Sequence, residues 1–408
     1  MDSALNSGDV AWVLTSTTLV LLMTLPGLAL FYGGLVRSKN VLSILMQCLV
    51  SAGLVGVLWI VIGYSLAFGE GNLFFGNFSI GLSGITPETL SGTIPEYVFV
   101  MFQGMFAIIT PALMLGAFAE RMRFGPYLAF IGIWVLLVYC PLAHMVWGGG
   151  WIGENLGAKD FAGGLVVHMS SGFSALVAAM LLGKRRGFGK DPMPPHNLPL
   201  TVIGASLLWV GWFGFNAGSA LAADGTAGLA FLTTNTATAA AVLGWVAIEW
   251  LHRGKPTVLG AATGVVAGLV AITPACAFVT PLGSIAIGLG AAAICYTAVT
   301  ILKPAAGYDD SLDVFGVHGL GGMWGAIATG LFIAEFALPE GVSRGGQVGR
   351  QLLSVGFTAA YGMGLTFVIL SALRWVFGDL RVDAEGEHSG LDLAEHSESA
   401  YTIGSSPS

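Results

Sequence analysis

Long apolar stretches alternate with short polar connectors along the whole chain. Eleven of these stretches are long enough to cross the roughly 30 Å hydrocarbon core of a membrane as helices. Their predicted limits are residues 11–36, 41–67, 95–119, 125–147, 163–184, 199–219, 227–251, 257–274, 280–302, 314–335 and 348–377. The pattern therefore predicts an all-α integral membrane protein, with a transmembrane domain at residues 1–377 and an acidic tail at residues 378–408.

One connector is longer than the others. Residues 68–94 are rich in Gly, Asn, Ser and Thr, which favour turns, so we expect a loop there. The loop contains a glycosylation tripeptide at Asn77, which is common by chance and matters only in a secretory host. The first residues have neither the basic region nor the cleavage motif of a signal peptide, so we expect no cleaved leader.

The composition supports a membrane protein. The chain is 55% hydrophobic and only 10% charged, against roughly 25% charged residues in soluble domains. Its 60 glycines are typical of membrane helices whose backbones pack closely together. The four cysteines lie in apolar stretches without CxxC spacing, so we expect buried core residues and neither a metal site nor a disulfide framework.

The basic residues predict the orientation. The connectors after odd-numbered spans, together with the C-terminal end, carry 13 of the 16 Lys and Arg residues, and the opposite side carries 3. Because positively charged loops stay in the cytoplasm, we expect an external N-terminus and a cytoplasmic tail. The net charge of −7 comes mostly from that tail and says little about partners.

Two histidines lie inside predicted spans. His168 follows Asp160 by eight residues, which is roughly 12 Å along a helix, and His318 follows Asp313 by five, roughly 7.5 Å. Spans 1–5 and 6–10 thus each end in an acid and a buried histidine. Since each half has five spans, the halves run in opposite directions, which predicts an inverted five-plus-five repeat with a functional site near the membrane midplane.

Each of these residues also has a purely structural interpretation. A single histidine in a span can hydrogen-bond a neighbouring helix, but a polar residue at membrane depth indicates function, and two at matching positions strengthen that indication. Asp160 and Asp313 both stand at predicted helix starts, where a carboxylate accepts backbone N–H bonds. We therefore expect both acids to act at least partly as helix caps.

Eight motifs in order along the chain resemble the Amt/Mep/Rh family of ammonium transporters, in its bacterial-type Amt branch. They are PGLALFYGGLVRSKNVLS (26–43), FQGMFAIIT (102–110), AHMVWGGGW (143–151), DFAGGLVVH (160–168), PHNLP (195–199), GWFGFNAGS (211–219), GLVAITPACA (268–277) and DVFGVHG (313–319). The resemblance implies eleven spans, an inverted repeat and a homotrimer with one pore through each subunit.

The resemblance also implies roles for individual residues. An outer recruitment site for ammonium is implied at Phe102, Trp147 and Ser219. A phenylalanine pair that closes the pore to water and hydrated ions is implied at Phe106 and Phe215. The pore histidines are His168 and His318, and supporting roles fall to Asp160, Asp313, Thr273, Asn216 and Trp212.

This set of residues suits ammonium for a physical reason. Ammonium and K⁺ are close in size and charge, but only ammonium can lose a proton. A dry apolar pore rejects K⁺ because it cannot replace the ion's hydration, whereas neutral ammonia can cross. A neutral imidazole offers one donor and one acceptor, and histidine titrates near neutral pH, so a facing pair can receive ammonia and relay the proton. We expect net electrogenic uptake.

Three other functions remain open from the residues alone. A membrane redox protein would use the two histidines as haem ligands, although di-haem bundles usually need more histidines. A passive gas or water channel would carry no ammonium-driven current. A sensor would bind ammonium without much flux, although no sensor or kinase domain is attached. We expect a transporter in the inner or plasma membrane rather than an enzyme, with no cofactor, metal or nucleic-acid partner.

The tail also resembles the family's cytoplasmic tail. The matching residues are Gly378, Leu380, Arg381, Val382, Gly390, Leu391, Asp392, Ala400 and Tyr401. The resemblance implies regulation, with a PII-type nitrogen-signalling protein as candidate partner and methylammonium as candidate second substrate. Composition alone favours a disordered acidic end, but the motif match favours an ordered element coupled to the pore.

Overall fold

A computed structural model describes residues 5–401 as a helical bundle. Within that range nine helices are long and apolar enough to cross a membrane. They are Ser7–Leu35, Ser38–Phe68, Glu96–Phe118, Phe124–Asn155, Gly164–Leu182, Leu198–Gly218, Gly225–Arg253, Pro281–Ala306 and Arg344–Phe377. Helices suit such apolar sequences because every backbone polar group is satisfied within the segment, without water.

Two further predicted spans are also helical but are shorter. Residues 257–274 contain the helix Val258–Ile272, and residues 314–335 contain the helical segments Phe315–Gly319 and Leu320–Phe332. The all-helical architecture is therefore confirmed, whereas the count of eleven spans and the orientation of the termini stay predictions. The outer surface carries large apolar side chains, among them Leu243, Leu251 and Leu282, which are 69–89% exposed.

The long connector is a loop, as predicted. Between Phe68 and Glu96 it contains turns and one antiparallel pair of two-residue strands, Leu90–Ser91 and Ile94–Pro95. Asn77 lies in this loop and is partly exposed. All four cysteines are buried, three in helices and Cys276 in the turn that follows Ile272, which confirms their assignment to the core.

Several spans contain a π-helical turn, in which each N–H bonds five residues back. In the described residues these turns are Met23–Leu28, Trp59–Gly63, Val135–Tyr139, Trp151–Asn155, Gly164–Met169, Ala298–Leu302 and Phe315–Gly319. Such turns are rare and frequently mark functional sites. Two of them contain the span histidines, His168 and His318.

The two histidine-bearing helices touch through glycine. A Cβ atom added to Gly172 would overlap the main chain of Gly319, so neither backbone could approach the other with a larger residue there. Gly322 faces the main chain of Gly164 and the Cβ of His168 in the same way. These glycines bring the two helices close enough for their histidines to meet.

The two ends of the bundle differ. We call the end that carries Trp147 and Ser219 the tryptophan end, and the end that carries residues 378–401 the tail end. The tail forms two short helices, Ala384–Ser389 and Leu391–His396, at the tail end. There His196 contacts the hydroxyl of Tyr401 at 3.0 Å.

Tail carboxylates bond to the main chain of the helical bundle. Oε1 of Glu387 accepts from the N–H of Arg186 (2.7 Å), Oδ1 of Asp392 from Ser43 (2.8 Å) and Oε2 of Glu395 from Phe124 (2.8 Å). Two of these donors stand in the first turns of helices, where backbone N–H groups otherwise lack partners. The tail thus supplies acceptors for main-chain N–H groups of earlier segments.

A charged network lies beside these contacts. Glu120 pairs with Arg37 at 2.7 Å and with Arg185 at 3.2 Å, and Arg185 also pairs with Asp309 at 2.9 Å. Burial opposes ionisation of Glu120, but its hydrogen bond to Arg37 and the charges of Arg185 and Arg37 outweigh that effect. The pKa of Glu120 therefore lies below its ordinary value.

Candidate functional site

Three residues predicted to recruit ammonium lie together at the tryptophan end. Trp147 and Ser219 are partly exposed, and Phe102 is buried beside the end of the helix that carries Ser219. The Trp147 indole N–H donates to the main-chain oxygen of Asp160 at 2.8 Å, and the Ser219 hydroxyl donates to that of Phe215 at 2.8 Å. Because the hydroxyl proton is used, the oxygen of Ser219 retains lone pairs that can accept from a cation.

Two buried phenyl rings lie in contact below this opening. The rings of Phe106 and Phe215 lie 4.3 Å apart between centroids and are tilted by 33°. Phe106 also packs edge-on against Phe102 at 5.0 Å and against Trp147 at 6.2 Å. Both rings are fully buried, so they leave no opening to solvent between them.

The two span histidines lie directly beyond the phenyl pair. Nδ1 of His168 is 3.3 Å from Nδ1 of His318, and the ring of His168 stacks on Phe215 with centroids 5.9 Å apart. Within residues 5–401, Nε2 of His168 is buried without a hydrogen-bonding partner. The order from the tryptophan end is therefore Trp147, the phenyl pair, His168 and His318.

Apolar side chains surround the two imidazoles. The gap beside them, which both rings line, has a volume of only about 10 Å³. Besides the histidines it is lined by Met23, Leu28, Phe31, Ile109, Leu113, Leu208, Trp212 and Val266. Such a lining offers nothing to replace the hydration shell of an ion, so only the imidazoles provide polar atoms there.

The supporting residues hold this arrangement from one side. The Trp212 ring stacks on His168 at 5.3 Å, and its indole N–H donates to the Thr273 hydroxyl at 2.8 Å. The Asn216 amide donates to the Thr234 hydroxyl at 2.9 Å. Thr273 thus reaches the histidine only through Trp212, whereas Trp212 itself contacts His168 and lines the gap.

Asp160 caps the helix that carries His168, as predicted. Its Oδ1 accepts from the N–H groups of Gly163 and Gly164, and its Oδ2 from Leu165 and Val166, at 2.7–3.3 Å. Gly163 has φ of +117°, a conformation that favours glycine. The carboxylate thereby satisfies four N–H groups that the first turn leaves free.

The capping role predicted for Asp313 is wrong. In the second half the carboxylate of Asp310 accepts from the N–H of Phe315 at 2.7 Å, whereas Asp313 pairs with Lys303 at 2.5 Å. Asp313 has φ of +63°, so its side chain leaves the turn in another direction. The spacing in the sequence could have identified Asp310 as the cap, because Asp310 precedes His318 by eight residues, as Asp160 precedes His168.

Asp310 is an unusual acid because it is buried beside another carboxylate. Burial and the charge of Asp313 raise its pKa to about 6, although Lys303 opposes the shift. Its Oδ1 has no hydrogen-bonding partner among residues 5–401. This carboxyl group therefore stays protonated at pH values above the ordinary pKa of aspartate.

A wide cavity opens from His318 toward the tail end. Its volume is about 640 Å³, and its lining includes Tyr32, Glu120, Arg185 and Asp313 as well as His318. Among residues 5–401 no cluster of three or more His, Cys, Asp or Glu side chains could hold a metal ion. The histidine pair thus lies between the buried aromatic rings and a wide cavity with both apolar and charged lining residues.

Comparison with known proteins identifies the relatives of this chain. Residues 11–401 match the model of the Ammonium Transporter Family. An ammonium transporter of Bacillus subtilis is 50% identical over 405 residues, covering 97% of this chain and 99% of the relative. A solved structure called Sensor Amt Protein has a TM-score of 0.90 at 32% identity, covering 95% of this chain and 98% of that one.

A fungal structure is also similar. Mep2 of Candida albicans superposes with a TM-score of 0.86 at 37% identity, covering 93% of this chain and 87% of that one. These similarities extend over nearly the whole chain, including the aromatic passage and both histidines. Together with the nine apolar helices of the described residues, they make the protein a multi-pass membrane protein.

Proposed function

Since the chain belongs to the ammonium transporter family, we propose that it carries ammonium into the cell across the inner or plasma membrane. The transported species changes along the path: ammonium is recruited and deprotonated at the tryptophan end, and ammonia passes the histidines. The proposed assembly is a homotrimer of eleven-span subunits, with the tryptophan end outside and the tail in the cytoplasm.

Recruitment depends on the open aromatic site. The face of Trp147 attracts a cation through its π electrons, with about 0.5–2 kcal/mol of stabilisation. Ser219 supplies a hydroxyl oxygen whose own proton is already donated to Phe215, and Phe102 supplies a second ring wall. K⁺ is attracted to such a ring as well, so this site concentrates cations but selects for ammonium only where its N–H groups meet an acceptor.

Selection is completed at the phenyl pair. Phe106 and Phe215 are buried with centroids 4.3 Å apart, so a cation must shed its water to pass and receives nothing in return. Ammonium avoids that cost because it can give up a proton before it passes, and this proton is carried separately through the histidine pair, whereas K⁺ has no proton to lose. Ammonia then crosses as a neutral molecule.

The observation that carries the proposal is the contact between the two imidazoles. They lie 3.3 Å apart between Nδ1 atoms, inside an otherwise apolar gap. A pair in hydrogen-bonding contact can accept ammonia from one side and pass a proton to the other. His318 faces the wide cavity, where a proton and ammonia can recombine in water, so transport is electrogenic.

The test is a current measurement in proteoliposomes. An inward ammonium gradient should evoke current, methylammonium should evoke a smaller current, and an equal K⁺ gradient should evoke none. Liposomes without protein supply the background. Internal alkalinisation driven by ammonium without any current would show that ammonia alone crosses and that transport is not electrogenic.

We also propose that the tail regulates transport. The tail carboxylates of Glu387, Asp392 and Glu395 bond to main-chain groups of the helical bundle, beside the cavity that opens from His318. A PII-type protein that docks at this face would cover the cavity and contact the tail together. Flux measured with and without such a protein tests the partnership, and equal flux would rule it out.

A further inference from the structure

A buried glutamine from the last long helix binds the loop that precedes Asp160. Gln351 is fully buried, and its Oε1 accepts from the N–H of Lys159 at 2.7 Å. Its Nε2 donates to the main-chain oxygen of Lys159 at 2.8 Å and to that of Ala326 at 2.9 Å. One side chain thus satisfies both polar groups of Lys159 and ties them to the helix that carries His318.

The bonded residue is next to the residue that orients Trp147. Asp160 follows Lys159 directly, and its main-chain oxygen accepts the indole N–H of Trp147 at 2.8 Å. Its carboxylate meanwhile caps the helix of His168 through four N–H groups. The position of Trp147 therefore depends on a peptide segment whose preceding residue is fixed by Gln351.

Only an amide side chain meets these requirements. It carries an acceptor and two donors in one plane, which matches the N–H and C=O groups of a peptide. An apolar side chain of similar size would leave the N–H and C=O of Lys159 without these partners, and an unpaired polar group is costly where it is shielded from water. Lys159 would then move toward other partners, and Asp160 with it.

A second glutamine offers a built-in comparison. Gln347 lies one turn earlier on the same helix and is equally buried. Its Nε2 donates to the main-chain oxygen of Gly157 at 3.1 Å and to Oε1 of Gln351 at 3.2 Å. Its contact with the loop is at Gly157, two residues before Lys159. Gln347 therefore does not bond directly to the segment that contacts Trp147.

We propose that Gln351 is a positioning residue for the cation site: it fixes the main chain at residues 159–160 and thereby the orientation of the Trp147 ring. The proposal rests on the proposed function in one respect, because the cation site is assigned to Trp147. The orientation of the ring itself can be measured without any transport.

The first measurement uses fluorine NMR of protein labelled with 5-fluorotryptophan. The chain has 11 tryptophans, and the resonance of Trp147 is assigned by its loss in Trp147→Phe. Gln351→Leu should shift or broaden this resonance, and so should Gln351→Asn, which keeps the amide but is too short to reach both partners. Gln347→Leu removes one bond to Gln351 but keeps the bonds of Gln351 to Lys159 and Ala326, so it should move the resonance less. An unmoved resonance in both Gln351 variants, or equal movement in Gln347→Leu, overturns the proposal.

The second measurement is the concentration dependence of ammonium current in proteoliposomes. Gln351→Leu should raise the apparent KM on the order of 3- to 10-fold, within the range of a lost cation–π contact, with the maximal current changed less than about twofold. In a Trp147→Leu background the same substitution should add no further rise, because both act through one ring. A full additional rise would contradict action through Trp147.

The two measurements separate the possible failures. If the resonance moves but neither Gln351→Leu nor Trp147→Leu changes the KM, Gln351 positions the ring and the assignment of Trp147 to recruitment is wrong. If Trp147→Leu raises the KM and Gln351→Leu changes neither resonance nor KM, recruitment stands and the role of Gln351 is refuted.

Discussion

Nδ1 of His168 lies 3.3 Å from Nδ1 of His318, although 150 residues separate them in the chain. A hydrogen bond between two nitrogens needs one proton, so one ring carries it on Nδ1 and the other presents a lone pair there. When a proton enters at Nε2 of the donating ring, its Nδ1 proton can pass to the other ring, which releases its own Nε2 proton; both rings then hold the opposite tautomer. The pair is thus one proton-handling unit, and loss of either ring should abolish it.

Substitution of either histidine should separate current from ammonia flux. His168→Leu and His318→Leu keep the site apolar and of similar bulk, so insertion and assembly should survive. Ammonium-evoked current should fall by at least about tenfold in each, while ammonia can still cross as an electroneutral leak. Current and internal pH are recorded in the same proteoliposomes after an ammonium jump.

A K⁺ jump on the same vesicles serves as the control for leakiness. Full current in His168→Leu at normal protein content would refute the relay and return this residue to a packing role. A parallel loss of current and flux would mean that the pair shapes the passage without carrying the proton.

Loss of the indole at the mouth should weaken recruitment. A cation–π contact of about 0.5–2 kcal/mol corresponds to a roughly 2- to 30-fold change in affinity. Trp147→Leu should therefore raise the ammonium concentration at half-maximal current by a factor in that range. The matched control is Trp209→Leu, on the helix Leu198–Gly218 but absent from the aromatic contacts of the site. Equal curves for Trp147→Leu and the unmodified protein would contradict the assignment.

Removal of the tail should change regulation while leaving the pore in place. Deletion of residues 379–408 removes the carboxylates bonded to Arg186, Ser43 and Phe124, so transport should fall severalfold or lose its control. Glu387→Gln is the milder variant, since an amide oxygen can still accept from Arg186 but not pair ionically with Arg381. Wild-type flux after deletion, with and without a PII-type protein, would leave the tail without this role.

Asp310 should make stability depend on pH. Its pKa is raised to about 6 by burial and by Asp313, so between roughly pH 4 and pH 6 the folded protein holds a proton that the unfolded chain releases. Stability conferred by this group is present at the acidic end and falls as pH rises through about 6.

The amide variant tests that sign. Asp310→Asn should be more stable than the unmodified protein at pH 8, by on the order of 1 kcal/mol, and the difference should shrink at pH 5. Thermal unfolding in detergent at both pH values measures it. Asp313→Asn, which instead loses the ion pair with Lys303, is the control and should be destabilised at pH 8. A pH-independent effect of Asp310→Asn would contradict the raised pKa.

Most of what could be predicted came from two features of the sequence: the length of the apolar runs and the few polar residues that interrupt or begin them. Helices in a membrane are specified by long runs of similar residues, so the nine long helices follow from hydropathy. His168 and His318 stood out because each interrupts such a run, and Asp160 because it begins one. These features are local, so they can be recognised without knowing how the helices pack.

The remaining features depend on geometry that is not local. Choosing between Asp310 and Asp313 as the cap required the turn between them, in which Asp313 has φ of +63°. The stacking of Trp212 on His168 and the reach of Gln351 to Lys159 depend on packing between helices distant in sequence. The acidic tail has the composition of a disordered segment. Its order could not be predicted from pairing with particular side chains, because three of its carboxylates bond to main-chain N–H groups, which every sequence possesses.

The tail contacts have a consequence for biosynthesis. Ribosomes release the chain from its N-terminus, so the helices that begin near Ser43 and Phe124 enter the membrane long before Asp392 and Glu395 have been made. Their first turns stay uncapped until the last thirty or so residues emerge. A nascent or prematurely terminated chain therefore lacks the acceptors for these two helix starts.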